Sequence, residues 1–129
     1  MPLASKAGLW NLEVEAGATF SERATPSGTP WDLTNYSARA MARVTYPATE
    51  TLFSLTDGDG ITLGGTDGWV QVDLTSAQTT AIGEALEFVE QQVVWDLELV
   101  LDGSDPEDVT RFAQGVVTVS PESTRVDAP

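Results

Sequence analysis

The chain contains no cysteine and no histidine, and only 6 of its 129 residues are lysine or arginine. Without cysteine there are no disulfides, no thiolate metal sites and no cysteine nucleophile. Without histidine the commonest general base and the commonest transition-metal ligand are both missing. A Ser-His-Asp triad cannot be assembled from these residues, and a zinc site would have to rest on carboxylates alone. Set against 20 acidic residues, the few basic ones leave a formal charge of −14. Such a field repels nucleic acid and anionic lipid, so neither is expected as a partner. It serves solubility, or else a partner with a basic face or surroundings rich in salt or divalent ions. Long apolar runs are missing too: no segment nears the roughly 18 residues a membrane-spanning helix needs. Met1 to Gly8 carries only Lys6 and no apolar run behind it, which predicts cytoplasmic synthesis without a signal peptide.

What is present is a strong period of two. The apolar share of 41% is ordinary for a globular protein, and the length suits one domain. We place that domain at 9–120, between an N-terminal arm (1–8) and a polar C-terminal tail (121–129). Leu9–Glu15 reads as a half-buried strand, with Trp10, Leu12 and Val14 on one face and Asn11, Glu13 and Glu15 on the other. Ala18–Ala24 is a second strand carrying Phe20, and Thr25–Pro30 is a turn by composition. In the third strand, Ser37–Thr45, the residues Ala38, Ala40, Ala42 and Val44 face inward. Arg39, Met41 and Arg43 form a polar or interfacial face. Pro47 breaks that strand, Leu52–Leu55 is short, and Asp57–Gly60 is a tight turn leading into Ile61–Leu63.

Gly64–Gly68 is another turn, and in Trp69–Leu74 either Trp69 or Val70 and Val72 take the inner face. Thr75–Ile82 predicts one short helical turn or two, with Thr75 or Ser76 as cap and Ala77, Ala81 and Ile82 as the apolar side. Gly83–Gln92 reads as a loop leading into the next strand. Val93–Leu101 is the clearest strand, with Trp95, Leu97, Leu99 and Leu101 on one face. Val109–Ser120 closes the chain, pairing with Val93–Leu101 through the acidic loop Asp102–Asp108, and Gly115 is a candidate bulge. The count is seven to nine short antiparallel strands with turn signals at sandwich spacing, an all-β fold.

Few constellations carry chemistry. The carboxylates Glu13, Glu15, Asp73, Asp96 and Glu98 could in principle pair as glycosidases require, but pairs arise readily on solvated strand faces of so acidic a chain. Asp57-Gly58-Asp59-Gly60 starts like a calcium loop, yet Ile61, Thr62 and Leu63 supply no further carboxylate. Asp102, Asp105, Glu107 and Asp108 read as a solvated hairpin loop. Asn35-Tyr36-Ser37 matches a glycosylation acceptor without the secretory context that would use it. Gly58–Gly60 and Gly64-Gly65 lack the strand–loop–helix setting of a phosphate cradle. No cofactor, metal or catalytic residue is assigned. Trp10, Trp69 and Trp95 read as core, whereas Trp31, at a loop-to-strand corner, is open to use as an interface anchor.

The order of segments carries a resemblance. Trp10–Phe20, Pro30-Trp31-Asp32-Leu33-Thr34-Asn35-Tyr36, Ala38–Val44, Gly60–Gly65, Thr75–Thr79, Trp95–Leu99 and Gly115–Arg125 run in the order found in small structural proteins of tailed-phage virions. More loosely, the chain resembles the N-terminal immunoglobulin-like domain of phage baseplate upper proteins. Pro26–Trp31 and Ala85–Gln92 depart from the pattern. The resemblance implies an immunoglobulin-like β-sandwich with no catalytic residues. It also implies a place in the tail tip, baseplate or fibre-attachment region of a virion, among several copies and other virion proteins. Trp31, Met41 and the tail, represented by Pro121 and Arg125, are the candidate contacts. A capsid decoration protein is the alternative within this class. A carbohydrate-binding module is the alternative outside it, and it would need Trp31 or Trp69 exposed on a flat face.

Overall fold

The computed structural model describes residues 8–26 and 31–123. Arg125, most of the N-terminal arm and most of the Thr25–Pro30 turn lie outside the described residues. Nine strands and one α-helix are described: β1 (Gly8–Leu9), β2 (Leu12–Glu15), β3 (Phe20–Ala24), β4 (Tyr36–Arg43), β5 (Phe53–Asp57), β6 (Gly60–Leu63), β7 (Val70–Leu74), α1 (Ser76–Ala85), β8 (Gln91–Leu101) and β9 (Val109–Ser120). The all-β expectation holds. The strands form one curled sheet in the order β1-β9-β8-β4-β5-β6-β7-β3, and β2 follows β1 along the outer side of β9.

Period-two alternation explains the curl. Each long strand puts one set of side chains on the concave side, where Leu12, Val14, Leu55, Ile61, Val70, Val72, Leu74, Val93, Leu97, Leu99, Val117 and Val119 are almost wholly buried in a single core. Ala38, Ala40 and Ala42 of β4 face the same core. Their small side chains leave room for Trp95, whose indole packs edge-on against Trp10 and at a tilt against Phe53.

Several elements differ from the sequence reading. The sheet is mixed rather than purely antiparallel: β1 and β2 run parallel to β9, and β6 runs parallel to β5. The first strand is interrupted at Trp10 and Asn11. The Trp95 Nε1 donates to the Trp10 carbonyl at 2.8 Å, and the Asn11 side chain accepts from the Val116 N–H at 3.0 Å in place of main chain. Gly115 makes this crossing possible, because a β-carbon there would lie 2.5 Å from the Trp10 carbonyl oxygen. The bulge falls elsewhere. The β8–β9 register shifts between Leu97 and Glu98, which leaves Phe112 as the extra residue of β9. Strand β4 ends at Arg43, so Val44 leaves the inward set and is exposed. Trp69 precedes β7, and Val70, Val72 and Leu74 take the inner face.

The helix is longer than its composition announced. The Thr75 hydroxyl accepts from the Gln78 N–H while the Gln78 side chain accepts from the Thr75 N–H, a reciprocal cap. From there α1 runs on to Ala85. Its buried side is Thr79, Ile82 and Gly83, followed by Leu86, whereas Ala77 and Ala81 are exposed. It stops where Glu87 and Phe88 adopt left-handed backbone and the Phe88 N–H reaches back to the Gly83 carbonyl.

Candidate interaction surface

The segment Trp31–Asn35 closes one end of the core. Leu33 is 1% exposed, and its N–H donates to the Gly65 carbonyl in the 3₁₀ turn Gly65–Asp67. The Trp31 main chain rests on Gly68, where a β-carbon would come within 2.7 Å of its carbonyl oxygen. Asp32 accepts from both the N–H and the hydroxyl of Thr34, and these bonds hold its carboxyl below the usual range. The Trp31 indole is half-buried and stands edge-on to Phe112, with ring centroids 5.5 Å apart. Trp69 is likewise occupied. The Arg23 guanidinium lies 3.6 Å above its ring centre, held there by Gln71, and Gly64 lies against the same indole.

Met41 occupies a different surface, the convex face of β4, β8 and β9. The register sets Arg39 opposite Glu98, Met41 opposite Asp96 and Arg43 opposite Val94, while β9 sets Arg111 opposite Glu98. The Arg39 Nε donates to Glu98 at 2.8 Å, and its Nη1 reaches Glu107 at 3.4 Å. Arg111 approaches Asp96 at 3.9 Å. Burial raises the Asp96 carboxyl above its ordinary 3.8, Arg111 pulls against that rise, and Glu98 adds to it. The Arg43 Nη1 donates to the carbonyls of Ala48 and Thr49, which pins the turn that follows β4, and its Nη2 donates to the Met41 sulfur at 3.4 Å. That turn displays Val44 and Tyr46. Met41, Val44 and Tyr46 are 41%, 39% and 70% exposed. Met41 and Tyr46 border an open depression of about 250 Å³, whose lining also includes Arg39, Arg43, Asp96 and Glu98.

The three candidate contact residues that are described are therefore not gathered into one patch. Trp31 packs against Phe112, Met41 is on the convex face, Pro121 is exposed just beyond the end of β9, and Arg125 lies outside the described residues. Sequence reading identified Arg39, Met41 and Arg43 as one face, but not Tyr46, Glu107 or Arg111. Strand alternation assigns a face within a strand and says nothing of which residues lie opposite. Of the carboxylates weighed earlier, Asp96 and Glu98 face arginines, and Asp73 accepts from the Gln71 amide. Among the described residues no group of three acidic side chains is arranged to hold a metal ion. Comparison of the chain with protein-family models and with curated proteins gave no match.

Proposed function

We propose that this chain is a non-enzymatic structural protein of a tailed-phage virion, an assembly domain of the tail tip, baseplate or fibre-attachment region. The observation that carries the reading is the convex β4-β8-β9 face, where Met41 and Tyr46 are exposed beside a set of ion pairs. A rigid sheet with apolar side chains on its solvent face is suited to burial against a neighbour. The collinear segments that resemble phage virion proteins give that neighbour its class.

The finer fold reading goes with this proposal. The strand order β9-β8-β4-β5 corresponds to the G-F-C-C′ sheet of a variable-type immunoglobulin domain, and β6-β7-β3 corresponds to its D-E-B strands. On this reading the β5–β6 link joins the two layers of a sandwich into one curled sheet. Two features differ from antibody domains: there is no inter-sheet disulfide, and the buried tryptophan sits on β8 instead of β4.

The carbohydrate-binding alternative needs an open aromatic face. Trp31 is half-buried and edge-on to Phe112, and Arg23 covers one face of Trp69, which reduces the ring surface either indole offers. The test is immunogold labelling of intact particles with an antibody to this protein. Gold confined to the tail end or neck is the expected result. Gold over the whole head, with a strong band on a stained gel of purified particles, would replace the tail reading with a decoration protein. Absence from every particle would overturn the virion reading.

A further inference from the structure

We propose that the convex face of β4, β8 and β9 is a contact between copies of this chain. The inference rests on the assembly reading only for the idea that copies meet; the surface itself follows from the distribution of charge. Of the six basic residues, Arg39, Arg43 and Arg111 lie on this one face. They stand among Asp96, Glu98 and Glu107, so the center of the face is neutral and the formal charge of −14 is carried by the rest of the chain.

Two molecules of such charge repel over most approaches, and like-charged surfaces brought together are costly. The neutral face is where that repulsion is least. It also holds Met41 and Tyr46, whose exposed apolar area gives a reason to associate.

The size is adequate. Strand β8 has 11 residues, which span about 36 Å at about 3.3 Å each. Three strands about 4.8 Å apart, with Ser54 and Thr56 of β5 at their side, give a footprint of roughly 600 Å². A standard interface takes about 800 Å² from each partner, so the face supports a modest, reversible contact between identical patches.

Sedimentation equilibrium of the full chain tests this, in about 0.05 M and about 0.5 M NaCl. The expected result is reversible self-association that strengthens with salt, as screening weakens the repulsion between the acidic surfaces. Met41→Glu puts a charge at the center of the face and is expected to weaken association about tenfold or more. Val89→Ser alters an apolar residue that is 60% exposed in the loop between α1 and β8, outside the three strands, and it is expected to leave association unchanged. A monomer at both salt concentrations would overturn the proposal. So would association that Met41→Glu leaves intact, or that Val89→Ser weakens equally. Particle labelling is scored separately, so a failure here is distinguishable from a failure of the virion reading.

Discussion

Asp96 is held between opposed influences: burial in the convex face disfavours its charge, and Arg111 favours it. Burial prevails, so the folded-state carboxyl titrates above 3.8. A carboxyl that binds its proton more tightly in the folded state adds stability as pH falls through its folded value, and that contribution is lost as pH rises through it. This is the reverse of the usual paired carboxylate. Asp96→Asn removes the titration and keeps the shape. Urea midpoints for the two proteins, compared from about pH 4 to about pH 7, are expected to diverge in favour of the variant as pH rises above 3.8. Taking the difference cancels the other acidic groups, which both proteins share. A difference that stays constant with pH would show that Arg111 and Arg43 together offset the burial.

Helix α1 is tied to the sheet by one polar residue. Thr79 is the buried polar residue of the core, and its hydroxyl accepts from the Gly17 N–H at 3.0 Å and donates to the Ala18 carbonyl at 2.9 Å. One side chain thus satisfies two main-chain groups of the β2–β3 turn, while Gly83 lets the helix approach Ala16. Thr79→Val keeps the volume but leaves a donor and an acceptor without this partner. Gly17 is partly buried and Ala18 is exposed, so water can meet part of the lost bonding, and a loss of about 1–2 kcal/mol in urea unfolding is expected. A loss below about 0.5 kcal/mol would show that water replaces the hydroxyl at that turn.

The same helix shows what was legible in the sequence. Its start was readable because Thr75 and Gln78 form a cap from neighbours in sequence. Its buried face was not: Ala77 and Ala81 looked apolar, but Thr79 faces the core because Gly17 and Ala18, some sixty residues earlier, supply its partners. The strands divide in the same way. The alternation of Trp95, Leu97 and Leu99 survives folding because one face is buried. The break at Trp10–Asn11 depends on an indole 85 residues away, and no local pattern encodes it. Likewise, Arg39 and Met41 were readable as an outward pair, but their company with Glu107 and Arg111 comes only from register.

At the scale of the whole molecule the ion pairs and the net charge act in opposite senses under salt. Three ion pairs are described, all on the convex face, and every side chain in them is more than a quarter exposed. Exposed pairs of this kind contribute little, and salt weakens them further. Against them stands the mutual repulsion of a chain at −14, which favours expansion and which salt also screens. The repulsion involves many more charges than the pairs do. Added NaCl is therefore expected to stabilise the fold, raising the thermal midpoint by about 4 °C between about 0.02 M and about 0.5 M, or about 1 kcal/mol for a chain of this size. Self-association raises the midpoint as well, so the scan is made on Met41→Glu at low protein concentration. A midpoint that falls with salt would mean that the Arg39 and Arg111 pairs outweigh the repulsion. The convex face would then be a principal source of stability, and its neutrality would serve the fold rather than a neighbour.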